Sequence, residues 1–417
     1  MNLYRLELKR VCKTRMTAIL LAIALVLAVV MAYLPVTFIG WTELDASGNE
    51  VRYTGLKAIR KRQEQQVSGT ITPDVMQEAL EAYQRVYLQY DASSINDIPV
   101  EVFYKELARY QPLVNNAKEA FADPKTGMAP GVMGLTTEDM QNFYNQLPKR
   151  LESVIWLEQS GKPGYEQAQA IAQKKFDAVQ KPFTYSFGVS SDAMDYQTLL
   201  SLLLTLLCAV IAAPVFASDA QTGAQDIQLC TKNGGLRLAA AKLAAAFSIT
   251  GAAYLLCGVV WILVTNALFG WESTQTSVQW LFSVTSLLPY TVGQMEWVML
   301  VANFLIFFAE VAFVLMASVW AKNNLTALSV ALISVVAPLI VYMVVPGSFG
   351  EWLSTLIPAG GIGLSNALLY KMIGFDFLYA GGHAFFQADV LLASAPIKIV
   401  LLVGLAIWGY LRKTKVA

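Results

Sequence analysis

The run TAILLAIALVLAVVMAYLPVTF, residues 17–38, decides the class of fold. It carries no charged side chain, and roughly 20 consecutive apolar residues in a helix cross the hydrocarbon core of a bilayer. Arg5, Lys9, Arg10, Lys13 and Arg15 precede it. Leu34-Pro35-Val36 ends it, where a removable leader would show a shorter apolar stretch and small residues at a cleavage site. The run therefore predicts a retained membrane helix, 17–39 with its flank. Residues 40–195 change character, with frequent charges and no stretch able to span. Further apolar runs follow at 196–217, 241–267, 297–321, 325–346 and 393–412, the last interrupted near its start by Pro396 and Lys398. Six spans are expected.

Composition points the same way. The chain has 417 residues, 56% hydrophobic and 14% charged, with a mean hydropathy of +0.48. A soluble domain carries about 25% charged residues, so a soluble enzyme is excluded. Thirty basic residues balance thirty acidic ones, and nothing points to nucleic acid. A single histidine, His383, leaves little for zinc, di-iron or proton-relay chemistry. Cys12, Cys208, Cys230 and Cys257 form no CxxC pair and predict no disulfide scaffold.

Orientation follows from where the cations lie. With the N-terminus inside, Arg5, Lys9, Arg10, Lys13, Arg15, Lys232, Arg237, Lys242, Lys322, Arg412, Lys413 and Lys415 fall on inner pieces or their edges. The short outer loops 268–296 and 347–392 hold only Lys371, against Glu272, Glu296, Glu351, Asp376 and Asp389. Both termini are expected in the cytoplasm. Residues 1–16 read as an inner interfacial helix: Tyr4, Leu8, Val11 and Cys12 share one face, with Arg5, Lys9 and Lys13 opposite. Plain topogenic charges without a helix are the alternative.

The segment 40–195 is then an outer domain, mildly acidic. Val75, Ala79, Tyr83, Val86 and Tyr90 repeat at helical spacing after the start signal Thr72-Pro73-Asp74. Similar patterns at 99–120, 137–160 and 163–180 predict a mostly helical fold, with a turn or small hairpin around 45–49. The outer segment 347–392 is too apolar for a free loop. It reads either as two short re-entrant helices before the last span or as an interfacial amphipathic loop. The fold class is an all-α polytopic membrane protein, with 196–417 forming a five-helix transmembrane region.

Motifs of covalent chemistry are missing. There is no GxxxxGK[ST], HExxH or GxSxG pattern and no paired acidic metal motif. Gly161-Lys162-Pro163-Gly164 lacks the leading glycine and the hydroxyl of a phosphate loop, and Asn324-Leu325-Thr326 falls on the inner side. No enzyme, resident cofactor or metal is expected. The inner loop 218–240 is more telling: Phe216 and Asp219 leave the second span, then come Gly223, Ile227, Leu229, Thr231, Gly234-Gly235, Arg237 and Lys242. This order resembles the inner loop of type 2 ABC exporter permeases. The resemblance extends to six spans, internal termini, a basic N-terminal helix and re-entrant pieces, and to a subgroup with a large outer domain between the first two spans. That subgroup includes sodium-export and antimicrobial-resistance permeases. Asp219 departs from the usual Glu by one methylene.

The resemblance implies a permease subunit in a plasma membrane, bacterial by type. It would pair with a second copy or a sister permease and with two copies of an ATPase subunit that binds ATP and Mg. Asp219, Gly223, Ile227, Leu229, Arg237 and Lys242 would couple the two subunits, the short loop helix docking in a groove of the ATPase. A secondary transporter or channel, or a ligand-binding receptor or scaffold, are the competing readings. Transporters of the former kind want several intramembrane charges; one clear mid-span charge stands out, Glu310, with Asn303 two turns earlier on the same face. These two line a translocation path or subunit interface, or else Glu310 is a structural carboxylate.

Overall fold

A computed structural model describes residues 3–44 and 49–414. It is 72% helical with little sheet, so the all-α class stands. α1 (Leu3–Cys12) turns at Lys13-Thr14 into α2 (Arg15–Thr37), the first of six helices among the described residues that are long and apolar enough to cross a membrane. The chain is a multi-pass membrane protein. Thr14 caps α2 by accepting from the Thr17 N–H, satisfying one of the donors a helix start leaves free.

The domain after α2 opens with a hairpin, β1 (Gly40–Leu44) against β2 (Glu50–Thr54); the predicted turn 45–49 lies mostly outside the described residues. Then come α3 (Leu56–Gln65), β3 (Gly69–Thr70), α4 (Pro73–Gln89), α5 (Val100–Val102), α6 (Gln111–Ala120), α7 (Thr137–Gln141), α8 (Phe143–Gln159), α9 (Tyr165–Asp177) and β4 (Thr184–Tyr185). Thr72 caps α4, with Pro73 in its first turn. Its buried stripe is Met76, Ala79, Leu80, Tyr83, Val86 and Tyr87. Tyr90 ends up exposed just past the helix, because the stripe drifts round the helix as 3.6-residue turns accumulate. β3 pairs antiparallel with β4, closing the start of the domain on its end.

The spans are α2, α10 (Ser191–Ala212) continuing into α11 (Pro214–Gln221), α13 (Leu236–Phe269), α14 (Val292–Trp320), α15 (Asn324–Val344) and α18 (Gln387–Thr414); α12 (Ala224–Leu229) lies between α11 and α13. α14 is the hub, packed on α10, α13, α15 and α18. Gly258 on α13 makes that approach possible: a Cβ there would sit 2.3 Å from Leu300 of α14. At 1.5 Å per residue, the 34 residues of α13 run about 50 Å, well beyond the ~30 Å hydrocarbon thickness.

Two sequence expectations are corrected here. α14 starts at a Thr291–Gln294 capping box, so Glu296 is not a loop charge but a fully buried side chain inside the span. The 347–392 segment does contain two short helices, α16 (Gly347–Leu356) and α17 (Leu368–Ile373), but it continues into a hairpin, β5 (Phe377–Ala380) with β6 (His383–Phe386). Gly381-Gly382, both at positive φ, make the tight reversal that helical patterning could not announce.

The domain is seated on the bundle through this end. Ser277 N–H donates to Thr184 O at 2.8 Å, and Trp280 stacks among Phe143, Phe183 and Tyr185. Gln159 Nε2 donates to Phe375 O at 2.7 Å, and Tyr379 Oη donates to Gln159 Oε1 at 2.8 Å.

Candidate functional site

At the end of the bundle opposite the domain, the α10–α11 junction is built around Pro214. Proline has no N–H and cannot continue the helical ladder. Ser318 of α14 repairs the break: its hydroxyl donates to Ala213 O at 2.6 Å and accepts from the Phe216 and Ala217 N–H groups at 3.0 and 3.1 Å. This fixes α11 and aims Asp219 inward. Asp219 is bound by two cations from two different helices. Lys242 of α13, only 1% exposed, donates to Oδ2. Arg10 of α1 donates to Oδ1 at 2.9 Å and Oδ2 at 3.1 Å, and to Val215 O at 3.0 Å. Glu7, one helical turn earlier, pairs with Arg10 at 2.8 Å. Two acids thus balance two bases. Lys242 also reaches Gln228 Oε1 at 3.2 Å and lies 5.4 Å from the Phe216 ring centre.

Of the residues expected to act together, Asp219 and Lys242 are joined, although they lie on different helices. Arg10 and Glu7 complete the group. Sequence reading missed them as site residues because a cation before a first span is ordinarily a topological signal; the i,i+3 spacing of Glu7 and Arg10 was the available hint. The same packing corrects the α1 face: Glu7 and Val11 are buried against α13, whereas Cys12 is exposed.

Gly223 stands at φ +71° as the turn between α11 and α12, a conformation costly for a residue with Cβ. α12 then presents Ile227 outward, 73% exposed. Leu229 does not share that exposure. It is half-buried, lining a groove with Trp320, Arg412 and Lys413. Arg237 stays outside the ion group and donates to Asn233 Oδ1 at 3.2 Å. The loop closes where Gly234 passes Gln228 O so tightly that a Cβ would overlap it, and Tyr410 of α18 donates to Gly234 O at 3.0 Å.

Glu310 forms a second site halfway along the bundle. It is fully buried and accepts from Ser334 Oγ of α15, while its Oε2 has no hydrogen-bond partner among the described residues. Asn303 is buried on the same line of α14. That line does not form one polar stripe against one neighbour, however, since Glu296, a further heptad back, accepts from Asn266 of α13 at 2.7 Å. Lys398 of α18 lies within electrostatic reach of Glu310 but donates hydrogen bonds to Thr355 O and Ile357 O at 3.0 and 3.2 Å. It thereby caps the C-terminal end of α16, where cations are favoured. Asp219, Lys242, Glu296, Glu310 and Lys398 are therefore all ionisable side chains held inside the spans, where the sequence offered one clear mid-span charge.

His383 is exposed, with its ring 3.3 Å from Gln167 Oε1. Among the described residues no group of His, Cys, Asp and Glu could hold a metal ion. Compared with family models, with curated proteins and with solved structures, the chain matches none.

Proposed function

We propose that the chain is the membrane subunit of an ATP-driven exporter of the type 2 ABC permease kind, working with a separate ATPase subunit in two copies and with a second permease. Both termini would then face the cytoplasm of a plasma membrane, and the 40–195 domain would face outward. The observation that carries this reading is the joint at Asp219. A short helix with an exposed isoleucine is tied, through Gln228 accepting from Lys242, to an ion group that joins α1, α11 and α13. A push on Ile227 would thus be delivered to three helices at once, which is what a coupling element must do. An exposed isoleucine on a water-facing loop is otherwise unrewarded, since burying such a side chain is worth about 1.5–3 kcal/mol. ATP and Mg would be bound by the partner, and no step of hydrolysis falls to this chain.

The test is Ile227→Asp alone, because Leu229→Asp would disturb the groove beneath α12 as well. In proteoliposomes with the ATPase subunit, Ile227→Asp is expected to uncouple hydrolysis from transport while leaving membrane insertion unchanged. Transport at the unaltered rate would sink the docking idea. A second reading, an ion-coupled transporter, draws support from Glu296, Glu310 and Lys398 inside the spans. It predicts transport driven by an imposed ion gradient with no ATPase present, and abolished by an ionophore.

A further inference from the structure

We propose that a groove at the domain end of the bundle binds an anionic phospholipid of the surrounding bilayer. The groove encloses about 850 Å³. Its upper wall is α9, with Ile171, Lys174 and Lys175; its lower wall is made by Val298 of α14, Phe386 at the end of β6 and Leu392 of α18. Val298 and Leu392 lie six and five residues inside their helices, about 8–9 Å at 1.5 Å per residue. The groove therefore runs from domain level into the level of the spans.

Two features select the occupant. The first is continuity of apolar surface. From the groove mouth at Ala393, α18 exposes Ile397, Leu401 and Trp408, 61%, 61% and 53% accessible, at helical spacing along one face. An acyl chain entering the groove continues along this stripe without meeting a charge. The second is charge at the upper rim. The ionised side chains lining the groove are Lys174, Lys175 and Asp389. Lys175 pairs with Asp389 at 3.0 Å and lies 4.4 Å from the Phe386 ring centre, while Lys174 is exposed. The rim is net cationic above an apolar floor. That is the arrangement a phosphate headgroup on an acyl chain would satisfy. A soluble anion would leave the floor uncovered, and a neutral apolar ligand would leave Lys174 unused. This inference stands apart from the exporter reading, since lipid binding needs neither ATP nor a partner.

The full chain in phosphatidylcholine nanodiscs would be irradiated with phosphatidylglycerol carrying a diazirine high in its acyl chain, and in parallel with the matching phosphatidylcholine probe. Adducts are expected on peptides covering 287–298 and 384–393. Phosphatidylglycerol should label them severalfold more, about fivefold for each lysine that counts. Lys174→Glu with Lys175→Gln should reduce its labelling to the phosphatidylcholine level. Ala393→Trp fills the mouth without altering charge and should lower labelling by both probes; it decides the matter should the lysine pair misfold. Equal labelling by both probes, or adducts spread evenly over all spans, would overturn the proposal. So would loss of the preference on adding inorganic phosphate alone, because the ligand would then be the free anion.

Discussion

Asp219 and Glu310 are both carboxylates inside membrane helices, and they are treated in opposite ways. Asp219 lies at the end of the bundle, where three hydrogen bonds from Arg10 and Lys242 engage both its oxygens and the Arg10–Glu7 pair balances the charge. Glu310 lies in the middle with one hydroxyl donor and one oxygen that has no partner among the described residues, and Lys398, within its electrostatic reach, donates its hydrogen bonds to the end of α16. Charge at the first site is paired, and at the second it is left with a single hydroxyl donor. Buried ions are tolerable when paired and hydrogen-bonded. The first group meets that condition, and the second is left short of it.

The comparison breaks most easily at Asp219. Asp219→Ala leaves two cations facing each other without a counterion, a loss on the scale of about 3–5 kcal/mol for a buried partner removed. A steep fall in the melting temperature of the purified protein is expected, with Asp219→Glu recovering much of it. A melting temperature unchanged in Asp219→Ala would mean the ion group is decoration.

Glu310→Leu should cost less, about 1.5–3 kcal/mol for the hydrogen bond to the carboxylate that is lost, because the Ser334 hydroxyl keeps Ala331 O as an acceptor at 2.8 Å; Glu310→Gln keeps size and hydrogen bonding. Normal assembly with lost transport in Glu310→Gln would place the charge on the transport path. Normal transport in Gln with misassembly in Leu would make Glu310 a structural carboxylate.

Lys398→Met removes the cap of α16 at a cost of about 1–2 kcal/mol. Hydrogen exchange should speed up in 353–360 and stay unchanged in 219–236. Faster exchange in both would show that the two sites are not independent.

The smallest effect sharpens the contrast outside the spans. Glu119 of α6 accepts from Ser283 Oγ and from the Val284 N–H at 3.4 Å. Burial pushes its carboxyl above the ordinary 4.5, opposed by those hydrogen bonds. A raised carboxyl favours the protonated native state. Its contribution is therefore full below the unfolded value and declines as pH rises from there through the folded value. Glu119→Gln should flatten that decline, raising the melting temperature slightly at pH 7 and less at pH 4.5.

Sequence alone determined the six spans, their order and the mostly helical character of 40–195, because apolar runs of spanning length and 3.6-residue periodicity are local properties of the chain. It also singled out Asp219, Lys242, Ile227 and Glu310 by their unusual settings. Only the tertiary structure decided which charges meet. Arg10 reaches Asp219 across more than two hundred residues, Lys398 turns from Glu310 to α16, and Glu296 moves from a supposed loop into the core when the Thr291 cap starts α14 early. The β5–β6 hairpin and the unequal fates of Ile227 and Leu229 belong there too. Such outcomes depend on which helix faces pack together. One carboxylate in an apolar run reads the same whether its neighbour proves to be a lysine, a serine or nothing.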